Sequence, residues 1–352
     1  MLSSTKHEEV REYYGKILKS QNDLKTGACC TGESFPEEQK QILNDIHPEI
    51  LEKFYGCGSP IPPLLDGKVV LDLGCGTGRD VYIAAKMAGP NGLVIGVDMT
   101  EEQLAVAARH AEGQADRFGF ERPNVSFRRA YIEDLAAAGV DSESVDVVIS
   151  NCVINLSPDK PRVLSEVFRV LKPGGELYFS DVFTGRRVHE SLREDPVVYG
   201  ECLGGALYIE DFRRTLDSLG IRDYRVVARN QISLDDEEIR AKVGMVDFYS
   251  MTVRVFKLDC LEDICEDYGQ TARYLGTIPH HPHRFDLDDH HQFVTGKPML
   301  VCGNTAAMLT DTRYAAHFEV AGDRSTHYGP FDCAPAATKP SVGDANSGGA
   351  CC

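Results

Sequence analysis

The chain has 352 residues, enough for two or three domains and a sizeable core. Hydrophobic residues make up 42% and charged residues 26%, an ordinary globular composition, and 54 acidic against 37 basic side chains leave a net charge of −17. Such a charge gives no global attraction for phosphate backbones or anionic membranes, so no nucleic acid and no membrane partner is expected.

No window approaches the ~18 uninterrupted apolar residues that a bilayer span needs. The opening residues MLSSTKHEEVREYYGKILKS lack an apolar signal core and carry too many acids for a transit peptide, so a cytoplasmic location is expected. In that reducing compartment the twelve cysteines read as buried small hydrophobes, soft-metal ligands or redox catalysts rather than a disulfide frame.

Residues 1–60 read as a helical cap, with polar helices over His7–Ser20 and Glu37–Phe54 and a thiol loop holding Cys29 and Cys30. The turn Ser59-Pro60-Ile61-Pro62-Pro63 marks a boundary. Strands are then expected at Lys68–Leu73, Leu93–Asp98, Val125–Ala130, Val145–Ser150 and Glu176–Asp181, with helices at Asp80–Met87 and Glu101–Phe118. Short apolar runs alternating with amphipathic helices imply a parallel sheet covered on both faces, a doubly wound α/β domain over 61–220. Tyr224–Ala228, Ser250–Lys257, Pro298–Cys302 and Phe318–Ala321 read as strands of a smaller α+β domain over 221–333. Residues 334–352 are small and polar, a tail ending in Cys351-Cys352.

The first strand runs into Asp72-Leu73-Gly74-Cys75-Gly76-Thr77-Gly78, spaced G-x-G-x-G. Glycine is needed where backbone turns sharply off a strand and approaches a ligand without Cβ interference. This is not the dinucleotide G-x-G-x-x-G, whose third glycine would fall on Arg79. A lone loop of this kind is a weak signal, and an ordinary tight turn is the alternative. Position strengthens it, because Asp98 ends the second strand, where a carboxylate can accept both hydroxyls of a ribose. The alternative for Asp98 is a helix N-cap, though Thr100 is better placed for that before Glu101-Glu102.

Together with Val97-Asp98-Met99 and Leu171-Lys172-Pro173-Gly174-Gly175, the loop resembles that of S-adenosylmethionine-dependent methyltransferases of the Rossmann-like class. The resemblance implies S-adenosylmethionine as cofactor. Gly74, Gly76 and Gly78 then pass close to its methionyl part and Asp98 holds its ribose, with Asp72 and Arg79 also among the cofactor-binding residues. Met99, Ile132 and Glu133 are placed about the adenine, and Asn151 beside the sulfonium.

Where an oxygen or nitrogen methyltransferase would want a base, this chain offers Cys152 in Asn151-Cys152-Val153-Ile154-Asn155. Cys57 in Tyr55-Gly56-Cys57-Gly58 and Cys202 in Gly200-Glu201-Cys202-Leu203-Gly204-Gly205 border the same edge. Each alone reads as a buried structural cysteine; three around one cofactor mouth suit a thiophilic centre. These loops closely resemble the arsenite methyltransferases, over Tyr13 to about Leu207. The resemblance implies methyl transfer to As(III) held by Cys57, Cys152 and Cys202, with Cys29 as the fourth cysteine and Cys30 an extra neighbour. It also implies arsenite, its thiol conjugates or methylarsenite as substrate and a thiol reductant of glutathione or thioredoxin type as co-substrate; a monomer is expected. The competing readings are a small-molecule C- or O-methyltransferase sharing only the fold, and a thiophilic-metal-binding protein.

Elsewhere the sequence promises less. His280, His281, His283, His290 and His291, among Asp286, Asp288 and Asp289, read as a solvated loop rather than a metal site. Cys75 is expected to pack within the cofactor turn, and Cys260 and Cys265 to take core or surface positions. Cys302 and Cys333 have no identifiable partner in the sequence, and Tyr55 is expected either to pack on the N-terminal helices or to meet arsenic.

Overall fold

A computed structural model describes residues 2–12, 35–52, 59–234 and 236–333, with side chains from residue 6 onward. The expectations for Cys29, Cys30, Tyr55, Cys57 and the tail after 333 lie outside the described residues.

Among the described residues, three helices precede the sheet: α1 (Leu2–Glu12), α2 (Glu37–Asp45) and α3 (Pro48–Glu52). The alternating region follows as β1 (Val69–Leu73), α4 (Arg79–Ala88), β2 (Leu93–Asp98), α5 (Glu101–Arg109), α6 (Ala111–Phe118), β3 (Val125–Arg129), β4 (Val145–Asn151), α7 (Lys160–Val170) and β5 (Leu171–Thr184). Four short elements come next, α8 (Glu190–Glu194), α9 (Pro196–Gly200), β6 (Leu207–Tyr208) and α10 (Ile209–Ser218). Then β7 (Arg225–Gln231), α11 (Glu237–Val243) and β8 (Phe248–Phe256) complete the large sheet.

That sheet has the order β3-β2-β1-β4-β5-β8-β7, with β6 beside the end of β5. β1 to β6 pair in parallel, and β7 and β8 close one edge antiparallel. The parallel strands are apolar because helices cover both faces: Val70, Leu71 and Leu73 of β1 and Val147, Val148 and Ile149 of β4 are fully buried. The order reverses between β1 and β4, which opens a crevice beyond their carboxyl ends.

The single helix expected over Glu101–Phe118 is two, broken at His110 (φ −95°, ψ 2°). There His110 stacks on His47, ring centroids 3.9 Å apart, and bonds Glu49 at 2.8 Å, so contact with the N-terminal helices outweighs helix continuity. The strands expected at Tyr224–Ala228 and Ser250–Lys257 form, but in the large sheet, not in a small domain. The nine-residue β8 lies antiparallel along β5 from Glu176↔Phe256 to Thr184↔Phe248.

The remaining chain forms β9 (Glu266–Asp267), β10 (Gln270–Tyr274), β11 (Arg284–Asp286), β12 (Gln292–Val294), β13 (Pro298–Val301), α12 (Gly303–Thr310), β14 (Phe318–Ala321) and β15 (Gly329–Pro330). β13, β10 and β14 make a three-stranded sheet over an aromatic core that includes Tyr274, Phe285, Phe293, Tyr314 and Phe318. The His-rich segment is no solvated loop throughout. β11 and β12 form a hairpin, and its turn buries Asp288 with His291, whose Nδ1 lies 2.9 Å from the carboxylate. Leu287 beside them is fully buried, and that apolar anchor pulls the polar pair inside. Among the described residues no helix is long and apolar enough to cross a membrane.

Candidate active site

The crevice at the switch point is an open cleft with about 920 Å³ of space between its walls, open solvent included. Its walls come from the carboxyl ends of four strands: Gly74 to Thr77 after β1, Asp98 to Thr100 at β2, Ala130 to Glu133 after β3, and Asn151 to Val153 at the end of β4. Asp72 lines it from within β1. Of the expected cofactor residues, Asp72, Gly74, Gly76, Asp98, Met99, Ile132, Glu133 and Asn151 therefore meet around one space.

Gly78 and Arg79 do not line it. Gly78 caps α4 with φ 89°, and a Cβ there would press on Phe127 and Ala107 at 3.2–3.3 Å. Arg79 is buried and turns to Asp80, with Nε 2.8 Å from Oδ1, while its guanidinium stacks over Phe35.

The loop after β1 needs its glycines. Gly74 has φ 67°, and a Cβ on it would lie 2.4 Å from Val153 Cγ1, so the cofactor loop packs directly on the residue after Cys152. Gly76 has φ 53° and open space where a side chain would stand. Its N–H donates to Asp98 Oδ2 at 2.9 Å, and Thr100 N–H donates to Oδ1 at 2.7 Å. Asp98 thus ties the loop to the start of α5, and Thr100, at the expected N-cap, makes no side-chain cap bond. Burial raises the Asp98 carboxyl above its ordinary value against these backbone donors. Asp72 is raised well above its own, by burial first and then by Asp80 and Asp98. A glycine turn with open space at Gly76, a carboxylate at the end of β2 and a mostly apolar crevice fit S-adenosylmethionine.

Sequence reasoning missed the N-terminal cover. His7 and Val10 of α1 line the crevice, where His7 Nε2 meets Glu133 Oε1 at 2.9 Å and its ring lies over Tyr131. Glu133 also accepts from the Ser157 hydroxyl. The polar run of α1 carried no signal for this contact, which depends on pairing across the fold.

Cys152 lines the crevice, and Cys202 comes up beside it. Both adopt the left-handed backbone that non-glycine residues rarely take, with φ 56° and 67°, a strain characteristic of functional sites. Cys202 is fully buried, and its thiol donates to the Cys152 carbonyl at 3.1 Å. Gly205 lets this loop close, since a Cβ there would lie 2.0 Å from the Asn155 carbonyl oxygen. Cys152 is disulfide-bonded, whereas Cys75, Cys260, Cys265, Cys302 and Cys333 are free thiols. Cys75 packs within the cofactor turn as expected, buried against Gly96.

Below these thiols Asp181 accepts from Asn155 Nδ2 at 2.6 Å and from the Val182 N–H at 2.8 Å, and burial pushes its carboxyl up to about 7. Lys160 stands near Asp181, Cys202 and Glu133, and burial brings its ammonium down to about 8.

Sheet order, glycine turn and crevice define a class I S-adenosylmethionine-dependent methyltransferase, and the methyltransferase domain family model matches residues 64–220. The model of the arsenite methyltransferase C-terminal domain matches residues 269–351. The chain is 55% identical to the arsenite methyltransferase of Aquipseudomonas alcaligenes, over 93% of this chain and 94% of that one. It is 42% identical to that of Mus musculus, over 89% and 82%. The crystal structure of an arsenic(III) S-adenosylmethionine methyltransferase from Chlamydomonas reinhardtii superposes with a TM-score of 0.82 at 53% identity, covering 85% of this chain and all of that one. The chain belongs to the arsenite methyltransferase family.

Proposed function

We propose that this enzyme transfers methyl groups from S-adenosylmethionine to trivalent arsenic carried on Cys152 and Cys202, with Cys57 and Cys29 completing the set. The observation that carries the reading is the pairing of two strained cysteines, Cys152 lining the cofactor crevice and Cys202 buried behind it with its thiol on the Cys152 carbonyl. When bound, S-adenosylmethionine supplies an electrophilic methyl group on sulfur.

Trivalent arsenic needs no proton removed before it attacks, so the site needs no general base. Three thiols displace the hydroxides of arsenite as water and leave a trigonal pyramid with a lone pair. Holding that lone pair opposite the methyl group supplies the proximity that favourable intramolecular reactions show, ~7–11 kcal/mol. Cys152 and Cys202 come after β4 and β5, and hydrogen bonds from the Cys152 N–H to the Ser180 carbonyl (2.8 Å) and the Cys202 N–H to the Tyr199 carbonyl (3.0 Å) fix their backbones.

A thiol of glutathione or thioredoxin type acts as co-substrate in this reading. Methyl transfer formally takes arsenic to the pentavalent state, and two thiols must return it while becoming a disulfide. The disulfide at Cys152 supports this, since that sulfur must be reduced before it can bind arsenic. We further propose a cytoplasmic monomer that takes arsenite, its thiol conjugates or methylarsenite. Residues 1–60 would serve as its cap, 61–220 as its cofactor domain with β7 and β8 added, and the rest to 333 as its C-terminal domain.

The test compares Cys→Ser variants at 29, 57, 152 and 202 in excess thiol, with arsenite and methylarsenite supplied separately. Arsenite offers three positions to thiolates and methylarsenite two, because carbon occupies the third. Loss at 152 or 202 should abolish both reactions, whereas loss at 29 or 57 should impair arsenite far more. Equal loss of both activities in all four variants would overturn this division of roles.

A further inference from the structure

Three free thiols that the transfer chemistry does not use converge in the C-terminal domain. The Sγ atoms of Cys265, Cys302 and Cys333 all lie within 4.8 Å of one another, although the chain brings them from three separate segments. The pairing of β9 with β15 sets Cys333 beside Cys265, locked by the Phe331 N–H to Cys265 carbonyl bond of 2.7 Å. Cys302 is the N-cap of α12, and its sulfur accepts from the Thr305 N–H at 3.4 Å. The buried amide of Asn304 ties that helix to the segment before Cys265. It accepts from the Glu262 N–H at 2.8 Å and donates to the Glu262 carbonyl at 2.7 Å.

We infer that Cys265, Cys302 and Cys333 form a second arsenic site, a trithiolate holding site for inorganic arsenite apart from the methyl-transfer centre. A soft centre holds a thiolate at a distance like the ~2.3 Å of zinc, so sulfurs sharing one centre stand no more than ~4.6 Å apart. The three sulfurs here need almost no movement to reach that arrangement.

The donor set favours arsenic over a divalent metal. Structural zinc wants four ligands, and among the described residues this group contains three. Arg225, with Nη2 3.8 Å from Cys302 Sγ, also brings positive charge, which a cation would oppose. Arsenite forms a neutral trithiolate whose fourth position is a lone pair. Three As–S bonds form and three As–O bonds break, each thiol proton leaves with a hydroxide as water, and nothing is oxidised. Methylarsenite can fill only two thiols, so the site should prefer the unmethylated form. Cys333 is exposed, and a cleft lined by Arg213, Tyr224, Asp263 and Asn304 opens on Cys265, giving a small neutral molecule a way in.

The site is tested on the full-length reduced protein with sodium arsenite as probe, by alkylation read peptide by peptide. Arsenite should slow labelling of Cys265 and Cys333 together by roughly tenfold, the protection that ~90% occupancy gives. Native mass spectrometry should find one arsenic fewer per chain in Cys265→Ser and in Cys333→Ser than in the parent, and methylarsenite should protect less than arsenite. Unchanged labelling of the two residues would overturn the inference, as would protection by zinc but not arsenite. Recovery of a Cys265–Cys302 disulfide from protein kept in excess glutathione would overturn it equally. The peptide readout separates these thiols from those at the crevice, so failure of one site does not count against the other.

Discussion

The sulfur of Cys202 lies 3.1 Å from the carbonyl oxygen of Cys152, so one thiol of the proposed arsenic site is oriented by the backbone of the other. A serine hydroxyl can donate to the same carbonyl but is a poor ligand for a soft centre. Cys202→Ser should therefore keep the fold, with stability within about 1 kcal/mol of the parent, while arsenite binding at the crevice is lost. Thermal unfolding and arsenite titration of the reduced protein check both halves. An unfolded variant would show that the thiol is needed for packing and not for the metalloid.

Asp98 does two things at once. It holds the Gly76 and Thr100 amides and presents its carboxylate to the crevice. Asp98→Ala removes a charged acceptor, worth ~1.5–3 kcal/mol, so S-adenosylmethionine affinity should fall by about one to two orders of magnitude. Arsenite binding, measured separately, should change little, because the thiols rest on β4 and the loop after α9. Calorimetric titration with each ligand decides, and equal losses would contradict that separation.

Glu176 of β5 is fully buried and joins the two parts of the molecule. Arg254 of β8 reaches it at 2.9 Å (Nε to Oε1), and Arg313, after α12, reaches its other oxygen. Arg254 also donates to the Leu287 carbonyl at 2.8 Å, which secures the β11–β12 hairpin. Glu176→Gln leaves two buried guanidinium groups without a counter-charge and should cost ~3–5 kcal/mol. Its unfolding midpoint should drop while cofactor affinity at temperatures below the transition is retained.

The features legible in the sequence came from local pattern. Each of the five expected parallel strands forms, because burial on both faces demands a run of apolar residues that stands out along the chain. The glycines of the loop after β1 were legible for a similar reason, since close approach of backbone leaves its mark in composition. Contacts made across the fold left no such mark. β7 and β8 look like any short strands, and nothing in Arg225–Gln231 says that its partner is β8 along β5. His7 meeting Glu133 and Cys265 meeting Cys302 and Cys333 are likewise products of topology.

Lys160 supplies the pH-dependent prediction. Its ammonium stands near Cys202 and donates to the Ser157 carbonyl at 3.0 Å, and burial, opposed by Asp181, lowers its pKa to about 8. A cation near a thiol favours the thiolate, and the thiolate is the form that attacks arsenic. Below pH 8 Lys160 is charged and helps; above it the proton is lost and the help ends. Lys160→Met should accordingly slow arsenite methylation at pH 7 by about tenfold, the effect of a one-unit rise in the Cys202 pKa. The gap should close by pH 9, where parent and variant both present a neutral group to Cys202. Rates measured from pH 6.5 to 9.5 with saturating cofactor and thiol would show the two profiles converging. A variant slowed by the same factor at every pH would mean that Lys160 acts through packing, and that its charge does nothing for the thiol.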